Sequence, residues 1–212
     1  MKKKVLALGC HPDDMESLMA GTLLLLKDSG CEMHYMTLAK GDCGTNKLSP
    51  AKIRAMRRRE AMAAAEYLGA AFHESICSDL TVFYRQRLIR KLTAVIREVQ
   101  PDIICAMSPE DYMEDHMNTA RISVTAAFCR NIKNYRSVPR RKPSMKKVVL
   151  YHAMPYGLTD WLKRPVTPDF LVNIDSVIDR KEKMLAFHKS QKEWLDESQG
   201  QDSYLAAMKD MS

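Results

Sequence analysis

KKVLALGCHPDDMESLMAGTLLLLKDSG, residues 3–30, is the stretch on which the fold turns. Residues 3–9 are a short apolar run with the look of a buried strand. From Met15 onward apolar residues recur at helical spacing until Ser29-Gly30, a helix stop. This is a strand-then-helix unit, and it repeats. CEMHYMTLA (31–39) reads as the second strand, and a helix from Ala51 to Leu68, closed by Gly69, follows the loop KGDCGTNKLSP. FHESIC (72–77) reads as strand three, LIRKLTAVIREVQ (88–100) as an amphipathic helix stopped by Pro101, and DIICAM (102–107) as strand four. Parallel strands need crossovers of about 12 or more residues, so this alternation predicts a parallel sheet covered by helices on both faces. The expected fold class is α/β, a Rossmann-like three-layer sandwich with a mainly parallel sheet.

The second half is less regular. KKVVLYHAMP (146–155) and DFLVNI (169–174) are strand-like, and residues 175–198 read as one long helix with Asp175 as its cap. The tail from Gly200 can form a last helix. Nothing in the chain reads as a linker, and 212 residues suffice for one core, so residues 1–212 are expected to form a single domain. Hydrophobic residues make up 46% and charged residues 28%, values that exclude disorder for most of the chain. The apolar run VLALG is too short for a signal peptide or a membrane span, so the sequence predicts a cytoplasmic protein without a membrane span, and leaves homo-oligomerisation open. The six cysteines form no CxxC pair and read as buried free thiols. The formal charge of +7 is concentrated at Arg57 to Arg59 and in the loop from Arg136 to Lys147. No aromatic residues interleave there, so a solvated loop is favoured over a nucleic-acid platform.

In parallel sheets, ligands bind beyond the carboxyl ends of the strands. HPDD follows strand one, GDCGT follows strand two and SPEDYMEDH follows strand four, so three polar loops are expected on one edge. A catalytic zinc takes imidazole and carboxylate ligands, three from the protein. His11 and Asp14, three residues apart, and His116 from the other loop make such a set. Asp13 is then left to act as general base on water. The competing reading of HPDD is a helix start, with Asp13 or Asp14 as cap. His34 and His73 lie in strand patterns and read as core, whereas His152 and His188 are better placed to approach a site. Arg57, Arg58 and Arg59 point about 100° apart on their helix, so only one of them can face inward. The glycines of GDCGT permit a flexible loop that could cover a substrate.

GCHPDDME resembles the HPDD signature of the PIG-L/LmbE-like zinc-dependent de-N-acetylases. The resemblance continues through GDCGT, RRREAMAAAEYLG, SPEDYMEDH, VVLYHAMP and FHKSQ, in order over most of the chain. It implies a Rossmann-like fold and a zinc-dependent hydrolase, with Fe2+ as another candidate metal, removing an N-acetyl group from an amino sugar or sugar conjugate. On that pattern His11, Asp14 and His116 match the metal ligands, Asp13 matches the base, and Arg57 matches an arginine that holds substrate. Glu16 and Asp115 are expected to stand behind the ligands. The family's HxDH pattern reads Met113-Glu114-Asp115-His116 here, and methionine cannot donate a proton. His188 and His152, in that order, are the candidates for proton donor or oxyanion stabiliser, with Tyr112 third. The departure also leaves open hydrolysis of another small amide or C–N bond, or a metal- and sugar-binding module without turnover.

Overall fold

The computed structural model describes residues 2–199 and 204–212. Five strands, β1 (Lys4–Gly9), β2 (Glu32–Thr37), β3 (Ala70–His73), β4 (Ile103–Ala106) and β5 (Val149–His152), form one sheet in the order β3-β2-β1-β4-β5. Every pairing is parallel, with Val5 opposite Met33 on one side and Ile103 on the other. The central strand β1 is buried at Val5, Leu6, Ala7 and Leu8, as a strand covered on both faces must be. The helices divide between the faces. Those after the first two strands, α1 (Asp14–Leu18), α2 (Ala20–Asp28) and α3 (Pro50–Leu68), pack with the later α6 (Ile178–Leu185). The helices α4 (Gln86–Val99) and α5 (Glu114–Cys129) pack on each other. Two short helices, α7 (Lys189–Gln199) and α8 (Tyr204–Asp210), follow α6.

Local chemistry fixes the ends of α3. Pro50 occupies the first turn, where its missing N–H costs nothing, and Gly69 ends the helix at φ 68°, a left-handed conformation that glycine adopts freely. Ile53, Arg57, Ala61, Ala64, Ala65 and Leu68 are its buried stripe. An arginine therefore sits where an apolar residue would be expected. The chain runs outward from β1 to β2 and β3, then returns across the sheet to β4 and β5. The order reverses between β1 and β4, and the HPDD loop and the loop before α5 flank that switch point, where doubly wound folds bind ligands.

Four expectations are corrected. The first helix is broken at Met19, whose φ and ψ are −136° and −3°. Strand three begins at Ala70 and ends at His73, with only an isolated bridge at Cys77. DFLVNI forms no strand: its backbone has no partner strand, Phe170 packs edge-on against Tyr151, and Ile174 docks on α2. The long helix of residues 175–198 is a short 3-10 turn followed by α6 and α7, and Asp175 caps neither helix. The break between α6 and α7 falls at Ala186–His188 and turns His188 into the core. Residues Gly200 to Ser203 lie outside the described residues; the last helix is present from Tyr204. Among the described residues no helix is long and apolar enough to cross a membrane.

Docking of Ile174 depends on Gly21. A Cβ there would stand 2.7 Å from Ile174 Cδ1 and 2.9 Å from its Cβ. Glycine to alanine in a helix ordinarily adds about 1 kcal/mol of stability, but overpacking of this severity costs about 1–3 kcal/mol. Gly21→Ala is expected to lower the midpoint of denaturant unfolding; a raised midpoint would show that Ile174 moves aside freely.

Candidate functional site

The loop between β1 and α1 makes a sharp reversal in which Asp13 takes φ 103°, a left-handed conformation rare for a residue with a side chain. Asp13 stands at the N-cap position of α1 but its side chain makes no capping hydrogen bond, so HPDD does start the helix while both carboxylates are turned to other partners. Asp14 instead points back into the turn. Its Oδ2 accepts the backbone N–H of Cys10 at 3.0 Å and of His11 at 2.6 Å. Its Oδ1 lies 3.4 Å from His116 Nε2, and His11 Nδ1 is 3.6 Å from Oδ2. The two imidazoles of His11 and His116 thus flank one carboxylate, their centroids 5.4 Å apart. Donor atoms of Cys10, His11, Asp14 and His116 all fall within 4.8 Å of one another.

Carboxylates hold the outer nitrogens of both rings. Asp115 Oδ2 is 3.3 Å from His11 Nε2 and also accepts the N–H of Leu80 at 2.6 Å; Asp111 Oδ1 is 3.1 Å from His116 Nδ1. Carboxylates behind imidazoles fix ring orientation and tautomer, the arrangement found around metal-ligating histidines. Burial works against a charged ring at His116, yet Asp14 and Asp111 outweigh it and raise its pKa. At His11 burial is likewise outweighed, by Cys10, Asp115 and Asp14. Burial pushes the Cys10 thiol up to about 11, so it is a neutral donor in the free chain. Two imidazoles, a carboxylate and a nearby thiol fit a borderline divalent cation such as zinc.

Asp13 lives in a different environment. Its Oδ1 accepts from Arg57 Nη2 at 3.1 Å and its Oδ2 from the hydroxyl of Tyr204 at 2.7 Å. Burial raises its pKa against the pull of Arg57, whereas at Asp14 burial is overcome by His116 and His11 and the pKa falls. Two adjacent carboxylates driven in opposite directions are the signature of divided roles. Arg57 is 3% exposed and also donates to the carbonyl of Pro12. The structure therefore gives the expected substrate-holding arginine to Asp13. Arg58 pairs with Glu74, and Arg59 is exposed, so one of the three arginines faces inward.

The GDCGT loop is a packing surface rather than a loose cover. At Gly41, φ is +72° and a Cβ would meet Arg57 Cδ at 2.6 Å; at Gly44 it would meet Arg57 Nη1 at 2.8 Å. Asp79 ties the loop down through the N–H groups of Gly41 and Cys43, at 2.7 and 2.9 Å.

Glu16 is fully buried and accepts from Tyr35 at 3.0 Å, with His188 Nε2 at 3.3 Å. His188 is itself fully buried, behind the turn rather than open to it. His152 is exposed at the carboxyl end of β5, where its Nδ1 lies 2.7 Å from the Met107 carbonyl. His34 and His73 lie 3.0 Å apart on β2 and β3, outside the cluster. Sequence reading missed Cys10 as a donor, Asp111 and Tyr204. DYMEDH carries a signal for Asp111, an aspartate five residues before a ligand histidine, but nothing local announces a tyrosine 191 residues from Asp13. Tyr204→Phe leaves a buried acceptor on Asp13 without its donor, a loss of about 1–3 kcal/mol. Denaturant unfolding is expected to register that loss; an unchanged midpoint would mean that the contact contributes nothing.

The chain is similar in sequence and fold to known proteins. The model of the PIG-L family, GlcNAc-PI de-N-acetylase, matches residues 6–127. Over 204 residues the chain is 28% identical to a probable N-acetyl-alpha-D-glucosaminyl L-malate deacetylase 2 of Bacillus cereus, covering 91% of this chain and 86% of that one. Over 193 residues it is 28% identical to a 4-oxalmesaconate hydratase of Pseudomonas putida, covering 85% and 70%. The solved N,N'-diacetylchitobiose deacetylase of Pyrococcus horikoshii superposes with a TM-score of 0.77 at 26% identity, over 89% of this chain and 70% of that one. With more than half of its length matched, the chain belongs to the PIG-L family of GlcNAc-PI de-N-acetylases.

Proposed function

We propose that this chain is a metal-dependent amide hydrolase, one domain over residues 1–212, that removes an N-acetyl group from an amino sugar or sugar conjugate. The observation that carries this reading is that Asp13 faces Arg57 and Tyr204 while Asp14 faces His11 and His116, two carboxylate-backed imidazoles. His11, Asp14 and His116 would hold the ion, zinc in our reading, with Cys10 alongside. When bound, such an ion supplies Lewis acidity to an acyl carbonyl and lowers the pKa of water.

Asp13 takes the proton from the attacking water. Its raised pKa keeps it basic enough for that task. Arg57 holds one oxygen, so the oxygen now bonded by Tyr204 is the one that must be released to accept a proton. Oxygen adds to the acyl carbon, the C–N bond breaks, and the proton goes to the departing amine, giving acetate and a free amino sugar. Met113 cannot deliver that proton. His152 is the better candidate than His188: its Nδ1 is fixed on the Met107 carbonyl and its ring is exposed, whereas His188 is sealed against Glu16. A second reading is hydration in place of hydrolysis. It is favoured by the Pseudomonas putida relative and by the absence of a donor at Met113.

A screen of purified protein for amine release from acetylated sugars and simple amides tests the proposal. Turnover is expected on an acetylated sugar, abolished by a chelator and restored by zinc. Absence of amine release from every compound, with water addition to an unsaturated acid, would replace the first reading with the second. In the same assay His152→Ala is expected to lower kcat about 100-fold, the size of a lost proton donor. Full activity in that variant would remove His152 from the mechanism.

A further inference from the structure

Pro12, the proline of the active-site turn, also walls a second cavity of about 120 Å3 at the carboxyl ends of β2 and β3. The stripe Arg54, Arg58 and Ala61 of α3 forms one side and Phe72 lies against it. Lys40 enters from the segment after β2. Glu74 is the one carboxylate in the lining, and it is already engaged: Arg58 Nε reaches its two oxygens at 3.1 and 3.0 Å. Lys40, by contrast, has no hydrogen-bonding or ion-pair partner among the described residues, and the exposed Arg54 makes no hydrogen bond and meets Glu74 only through its charge. The cavity therefore has a surplus of two positive charges. Two hydroxyls complete it. Thr37 gives its one hydrogen to the Ala39 carbonyl at 3.0 Å, so its 2.8 Å contact takes the hydrogen of Ser75, and the donors left for a guest are the cations.

Cationic donors in excess of the one carboxylate around a space of this size select an oxyanion group, because each oxygen can take a charge-assisted hydrogen bond that water alone would otherwise satisfy. The cavity and the catalytic turn share Pro12, whose carbonyl Arg57 holds, and Arg57 and Arg58 are consecutive residues of α3. We infer that this cavity is a subsite for a carboxylate or phosphate group carried by the substrate on the side away from its acyl amide. Assigning the anion to the substrate rests on the amide-hydrolase reading; the binding of an anion here does not.

Titration calorimetry of the full chain with inorganic phosphate and with succinate tests the site directly and tells the two oxyanion classes apart. The wild type is expected to bind at least one of them. Lys40→Ala/Arg54→Ala should weaken that binding at least about tenfold, as expected when hydrogen bonds to a charged group are lost. Lys142→Ala/Lys147→Ala removes the same formal charge from exposed positions of the basic loop and should bind as the wild type does. No binding of either anion to the wild type, or equal weakening in both double variants, overturns the site. The second arm compares kcat/KM for acidic and neutral acetylated sugars. The ratio should fall about tenfold in Lys40→Ala/Arg54→Ala, and an unchanged ratio overturns the assignment of the anion to the substrate. If the wild type cleaves neither class, the hydrolase reading fails while calorimetry still decides the anion site.

Discussion

Two adjacent carboxylates buried side by side cannot both ionise unless each has its own source of positive charge or hydrogen bonds. Asp13 and Asp14 meet this constraint by facing different partners. Asp14 gathers His11, His116 and two backbone N–H groups, while Asp13 gathers Arg57 and Tyr204. The left-handed backbone at Asp13 accompanies that separation and costs about 1–3 kcal/mol of local strain, which the surrounding contacts must offset. Breaking a buried ion pair such as Asp13–Arg57 costs about 3–5 kcal/mol, so the strained turn is retained as long as the arginine stays in place.

Much of the nearby architecture follows from placing that arginine. Arg57 occupies a core position of α3, and its guanidinium is reached by a loop that can approach only because residues 41 and 44 lack a Cβ. Asp79 then pins that loop through two backbone N–H groups. On the opposite side of the switch point a loop joins β4 to α5, and Asp111 from that loop and Asp115 from the first turn of α5 orient the rings of His116 and His11. The site is therefore assembled from the two loops that diverge where the strand order reverses, each stiffened by its own carboxylates.

The parallel sheet and its loops on one edge were legible because strand and helix periods differ and the first half alternates them cleanly. His11, Asp14 and His116 were legible as a set because the sheet order brings the loops after β1 and β4 together. Periodicity failed where a residue's surroundings come from afar. DFLVNI has a strand's composition but no neighbouring strand to bond, so Ile174 goes to Gly21 instead. The continuous helical pattern of residues 175–198 concealed a break that sends His188 into the core, because no proline or glycine marks it. Arg57 read as a residue for the substrate, and its burial against Asp13 depends on two glycines in another loop. Tyr204 was invisible for the same reason: its partner is at the other end of the chain.

The division of labour between the two aspartates is tested most directly by metal analysis and amine release on Asp13→Asn and Asp14→Asn beside the wild type. Asp13→Asn should retain the metal and lose about 100-fold or more of turnover, while Asp14→Asn should lose the metal itself. Equal metal loss in both variants, or wild-type turnover in Asp13→Asn, would contradict the account.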